Sequence, residues 1–165
     1  MANKVLFGLK NVHYAVLTES ASALPSWGTP TPILGAVSLQ ISAEGAENTF
    51  YADNTPYWRE DSNNGYSGTL EVAKFPDTFL KDVFGYTENT AKVLAENAKA
   101  NAKPFALLFQ IDGDANEDYF IFYRCFAGRP NLNGNTINEN GKEVQTQSID
   151  ISILPVIDPT EESLG

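Results

Sequence analysis

The sequence predicts a mainly β protein: a sandwich or barrel of two packed sheets with one short flanking α-helix and long loops. Three observations carry this. Segments of two-residue alternation rich in Val, Ile, Phe and Tyr recur at short spacing. Asn-Gly and Asn-Asn-Gly turns separate several of them. A single segment shows apolar spacing of three and four, the helical period.

Taken in order, Lys10 to Thr18 sets Val12, Tyr14 and Val16 against His13, Ala15 and Leu17, the period of a strand. Val37, Leu39, Ile41 and Ala43 alternate with Ser38, Gln40 and Ser42 and form another. Asn48 to Asp53 reads as a short strand through Phe50 and Tyr51, with Tyr51 expected in the core. After the turn at Asn63-Asn64-Gly65, Tyr66, Gly68, Leu70 and Val72 alternate with Ser67, Thr69 and Glu71. Pro76 to Phe84 is the helix. Proline suits its first turn, Asp77 complements the positive end of its dipole, and Gly85 supplies the stop. Its stripe of Phe79, Leu80, Val83 and Phe84 should lie across a sheet face.

Thr90 to Ala102 holds good helix formers but only Val93 and Leu94 as sizeable apolar residues, so a solvated loop or short helix is expected. Phe105, Leu107, Phe109 and Ile111 pass through the acidic connection Asp112 to Asp118. Tyr119, Ile121, Tyr123 and Cys125 then return, which is a hairpin pattern. In the closing strand, Val144 to Leu154, Ile149, Ile151 and Ile153 face one way and Thr146, Ser148, Asp150 and Ser152 the other. Asn133-Gly134 and Asn140-Gly141 mark turns before it. Glu19 to Leu34, and Ala43 to Asn64 outside its short strand, read as long irregular loops.

A chain of 165 residues suits one domain, here taken as 1–165 with an N-terminal arm (1–9) and a C-terminal tail (156–165). With 42% hydrophobic and 19% charged residues it is neither a disordered chain nor a coiled coil. Eleven Lys and Arg against 21 Asp and Glu leave a net charge of −10, which argues against a protein that grips phosphates. Cys125 is the sole cysteine, so an intrachain disulfide scaffold is excluded. Val5-Leu6-Phe7 is too short for a signal-peptide core, and Phe105 to Phe109 is far too short to span a bilayer. Cytoplasmic synthesis with no membrane association is the expectation.

The search for chemistry returns expected absences: no catalytic residues, no cofactor and no metal site. His13, the sole histidine, sits mid-strand among apolar neighbours, where a structural role fits better than a triad base. Gly65-Tyr66-Ser67-Gly68 misses the nucleophile elbow by one position. Asp112 to Asp118 opens like an EF-hand loop. Glu117 then stands where the turn needs glycine, and Tyr123 where the bidentate Glu belongs, so a solvated hairpin tip is expected. Cys125, between Arg124 and Phe126, reads as a small packed side chain. Tyr57 and Trp58, with Trp27 upstream, are aromatic residues in polar loops, which either anchor a partner or cover their own sheet.

Several segments, in order, resemble the major tail protein (tail tube protein) of long, flexible-tailed bacteriophages of Gram-positive hosts. They are Phe7-Gly8-Leu9-Lys10-Asn11-Val12-His13-Tyr14-Ala15, Pro32-Ile33-Leu34-Gly35-Ala36-Val37, Tyr51-Ala52-Asp53-Asn54 with Tyr57, and Gly65-Tyr66-Ser67-Gly68-Thr69-Leu70-Glu71-Val72-Ala73. Pro76, Phe79 and Gly85 follow, then Lys103-Pro104-Phe105-Ala106-Leu107-Leu108-Phe109, Tyr123-Arg124-Cys125 and Arg129-Pro130. Thr87 to Ala102 departs from the pattern, being richer in Ala, Asn and Lys.

The resemblance implies a non-enzymatic virion protein made in the host cytoplasm. Such subunits form hexameric rings that stack around a tape measure protein, between tail initiator or baseplate and tail terminator proteins, into a tube that conducts DNA without binding it specifically. It also implies that long loops and chain termini bridge rings. The 44–62 segment, with Asn54, Tyr57 and Trp58, is therefore expected to touch a neighbouring subunit or ring. An acidic wall suits a DNA conduit because it repels phosphate. The alternative reading is a monomeric β-sandwich binding module in which Trp27, Tyr57 and Trp58 stack on cell-surface carbohydrate.

Overall fold

The computed structural model describes residues 8–113, 116–132, 134, 136–137 and 144–156. The expected turns at Asn133-Gly134 and Asn140-Gly141, the arm before Gly8, the tail after Val156, and Asp114 and Ala115 of the acidic connection lie wholly or partly outside the described residues.

The fold is mainly β, with a multi-strand antiparallel sheet, a second small sheet and one short helix. Twelve strands are described: β1 (Leu9–Ser20), β2 (Ala23–Trp27), β3 (Thr31–Pro32), β4 (Ala36–Ala43), β5 (Glu47–Ala52), β6 (Thr55–Asp61), β7 (Tyr66–Val72), β8 (Thr87–Glu88), β9 (Leu94–Ala95), β10 (Phe105–Ile111), β11 (Tyr119–Ala127) and β12 (Gln147–Ile153). The helix α1 (Asp77–Phe84) follows β7. The main sheet runs β2-β1-β10-β11-β12-β7-β4, with β3 also on β1.

Chain connectivity rolls this sheet up. β3 pairs with β1 at one end of the order, yet β4 begins at Ala36 and pairs with β7 at the other end. Residues 33–35 alone bridge the two, a reach of roughly 10–15 Å even when extended. Ile33 donates its N–H to the Val12 carbonyl at 2.8 Å, and Ala73 donates to Gly35 at 2.8 Å. The β1–β3 side and the β4–β7 side of the sheet therefore come together, as in a barrel.

Inside lies one apolar cluster: Val12, Tyr14, Leu70, Val72, Phe105, Leu107, Cys125, Ile149, Ile151 and Ile153, joined by Phe75, Phe79, Val83 and Phe84 from α1 and its approach. Phe79 is the hub. Its ring stands edge-on to Tyr14 at 5.0 Å, to Phe105 at 5.6 Å and to Phe84 at 5.9 Å, and stacks on Phe75 at 5.3 Å. The helix ends at Gly85, whose left-handed φ of 68° lets its N–H and that of Tyr86 turn back to the Lys81 and Leu80 carbonyls. Beyond it, β8 and β9 form a two-residue ladder in an otherwise solvated segment, as the scarcity of apolar residues predicts.

Two expectations need correction. The short strand expected at Asn48 to Asp53 is β5, but the rest of Ala43 to Asn64 is no irregular loop: β5 pairs with β6 in an antiparallel hairpin turned at Asp53-Asn54 with φ of 52° and 63°. Left-handed backbone at both central residues is the type I′ geometry that follows strand twist, and Asp and Asn tolerate it. All of β6 is exposed, so no alternation of burial marked it in the sequence. Likewise 19–34, expected to be irregular, contains β2 and β3.

The second correction concerns β11. Phe105 pairs with Cys125 but Leu107 with Phe122, so a bulge falls between them. The bulge reverses the facing of the strand: Cys125 is buried and Phe122 half-buried, while Tyr119, Ile121 and Tyr123 face out. Bulges also shift the facing in β1 near Asn11 and in β4 near Val37, which leaves Val37 exposed.

The register gives the molecule two ends. Phe105, Cys125, Ile153, Tyr66 and Ala43 form a row across the sheet. In one direction from that row lie the β5–β6 hairpin and the connection between β10 and β11. In the other lie α1 and the segment 85–103.

Candidate assembly surface

The β4–β7 ribbon does not stop at the sheet. Past the Ala43–Tyr66 pair, Glu44 donates to the Gly65 carbonyl and Asn64 to the Glu44 carbonyl, both at 2.9 Å, and Ser62 donates to the Ala46 carbonyl at 2.9 Å. The ladder then resumes at Glu47 and Asp61. β5–β6 is thus the continuation of two core strands beyond the core, with solvent on both faces.

That hairpin carries four large aromatic side chains. Phe50, Tyr51, Tyr57 and Trp58 are 60%, 65%, 76% and 52% exposed, more than a monomer needs to leave in water. Phe50 and Trp58 are direct cross-strand partners, and a bulge between Phe50 and Tyr51 leaves Tyr57 unpaired and proud of the ladder. Tyr51 was expected in the core; the isolated hairpin has no core to offer it. The face opposite the Phe50–Trp58 pair is held by Arg59, which pairs with Glu47 at 3.1 Å and Asp61 at 3.2 Å. Of the expected contact residues, Tyr57 and Trp58 stand on this ribbon, and Asn54 forms its tip turn. Trp27 stands apart: its indole N–H donates to the Tyr123 carbonyl at 2.9 Å and its ring meets Tyr123 at 5.5 Å.

A second apolar feature gave no clear sequence signal. β12 pairs with β11 only at Cys125–Ala127 and leaves at Leu154-Pro155, where proline cannot extend the ladder. The departure opens a cavity of about 230 Å³ lined by Tyr66, Ile121, Phe122, Tyr123, Leu154 and Val156. Pro155 was the available signal, because it ends the alternating run.

The remaining expected positions are structurally accounted for. His13 is half-buried, with Nδ1 2.8 Å from the Asn11 carbonyl. Asp112 and Glu117 face Lys10 at 3.3 and 3.7 Å, so the start and end of the EF-hand-like stretch share a cation from β1; Asp112 raises the Lys10 ammonium above its usual range. Cys125 is fully buried, and burial pushes its thiol up to about 12. Tyr14 donates its hydroxyl to Asp82 at 2.9 Å, tying β1 to α1, and desolvation raises its phenol. Among the described residues no three His, Cys, Asp or Glu side chains gather to hold a metal, and no helix is long and apolar enough to cross a membrane.

In comparisons with known proteins, no family model and no curated protein matches this sequence.

Proposed function

We propose that the chain is a structural subunit that assembles with copies of itself into stacked hexameric rings, forming a phage tail tube that conducts DNA to the host. Its partners on this reading are itself, a tape measure protein, and the initiator or baseplate and terminator proteins at the two ends. It has no enzymatic role, and its place is the virion.

The observation that carries the reading is the hairpin. Two strands built into the core run on into solvent and present Phe50, Tyr51, Tyr57 and Trp58 with nothing among the described residues to cover them. Fully burying such a side chain in a partner is worth about 1.5–3 kcal/mol, so the ribbon suits a permanent intermolecular contact. The barrel behind it gives the contact a rigid base. The net charge of −10 is compatible with passage of DNA along the assembly.

The test is Trp58→Ala. Because Trp58 is exposed and outside the core cluster, the melting temperature should stay within a few degrees of the unaltered protein. Self-association measured by sedimentation should weaken by about tenfold or more, the loss of one interface anchor. Unchanged association would count against the hairpin as a contact. Saturable glycan binding by a stable monomer, lost in the same variant, would instead favour the carbohydrate-binding module.

A further inference from the structure

The two ends of the barrel differ in charge. The ribbon 44–62 carries Glu44, Glu47, Asp53, Glu60 and Asp61 against Arg59 alone. Arg59 is already committed to Glu47 and Asp61, which leaves Asp53 and Glu60 without an ion pair among the described residues. The segment 90–103 lies at the other end. It holds Lys92, Lys99 and Lys103, all exposed and without an ion pair among the described residues, and its one carboxylate, Glu96, is taken by Arg129 at 3.2 Å. In a chain with nearly twice as many acidic as basic residues, three uncompensated lysines in one short segment form a local positive surface.

Resting on the assembly reading above, we infer that the occupant of this lysine surface is a second copy of the chain, entering by its β5–β6 hairpin. Within one molecule the hairpin and the lysines lie in opposite directions along the strands, so the acidic ribbon cannot reach its own 90–103 segment. Between two molecules stacked head to tail they meet with opposite charge. The contact is heterologous: each copy offers a hairpin at one end and a lysine surface at the other, so every copy joins two neighbours. The charges fix polarity and register, because a head-to-head encounter sets hairpin against hairpin and repels. Phe50, Tyr57 and Trp58 then supply apolar burial once the ends are aligned. Val93, 54% exposed between Lys92 and Leu94, is an apolar residue within the receiving surface.

The test uses two charge-reversed full-length proteins. One carries Asp53→Lys, Glu60→Lys and Asp61→Lys; the other carries Lys92→Glu, Lys99→Glu and Lys103→Glu. Each alone then has like charge at both ends, whereas a mixture restores opposite charge at the mixed contact. In sedimentation at low salt, each alone should associate about tenfold or more weakly than the unaltered protein, and an equimolar mixture should recover association. Higher salt should weaken the unaltered protein and the mixture alike. Thermal melts establish that both variants fold. Should a reversal at the turn unfold the hairpin, Glu60→Lys and Lys99→Glu repeat the test with one exposed charge each. If both variants associate as the unaltered protein does, or the mixture gains nothing, this contact is wrong and the tube reading stands. Failure of the unaltered protein to associate at any concentration, with tape measure and initiator proteins added, overturns both.

Discussion

Cys125 shows how much of this molecule is decided at single side chains. Its sulfur lies in the β11 bulge, 3.6 Å from the Phe122 carbonyl and closed off from water. Burial holds the thiol neutral and raises it from 9.0 to about 12. A thiol whose folded value is raised leaves stability intact below the unfolded value and drains it as pH climbs through the folded one. The fold should therefore lose up to about 4 kcal/mol from this group between pH 9 and 12. Urea unfolding at pH 7, 10 and 11.5 should show the native protein losing its advantage over Cys125→Ala as pH rises; a constant difference would refute the assignment. Gly68 is decided as locally, since a Cβ there would stand 2.1 Å from the Gln40 carbonyl oxygen. Its lack of a side chain lets β4 close on β7. A packed Cys125 between Arg124 and Phe126 is what the sequence suggests, but its alternation groups the thiol with Tyr119, Ile121 and Tyr123, which the bulge leaves facing out. Gly68's close approach was not legible, because it depends on a strand nearly 30 residues earlier in the chain.

At the scale of elements, legibility followed the presence of a buried face. β12 could be read residue by residue, because Ile149, Ile151 and Ile153 point into the core while Asp150 and Ser152 do not. The helix was equally clear: Phe79, Val83 and Phe84 fall on one stripe, and Pro76 and Gly85 bound it. Truncating the hub, Phe79→Ala, removes a fully buried ring that touches four other aromatic rings and should cost about 3–5 kcal/mol. Urea denaturation measures it, and a loss below about 1 kcal/mol would mean α1 is not anchored as described. β6 lacked such a face. Every residue from Thr55 to Asp61 is exposed, so the strand exists through its backbone ladder, its type I′ turn and the Arg59 ion pairs. Patterning is silent about such a strand, so the half of the ribbon that carries Tyr57 and Trp58 reads as loop in the sequence while β5 reads as a strand. The reversal within β11 was hidden for another reason: one inserted residue exchanges the two faces, and composition on either side stays aromatic.

For the whole molecule, the mainly β class was predictable from composition and turns, but closure was not. It depends on β3 and β4 lying four residues apart in sequence and at opposite ends of the strand order. That closure sends the β4–β7 ribbon out at one end and keeps α1 with the lysine-bearing segment at the other. On the proposed reading, a barrel with an acidic aromatic ribbon at one end and exposed lysines at the other repeats along an axis rather than stopping at a dimer. Electron microscopy of negatively stained, purified protein over a concentration series tests this most directly. The account predicts rings or hollow tubes of constant diameter, growing in number with concentration. Particles that stay monomeric throughout, including after addition of tape measure and initiator proteins, would contradict it.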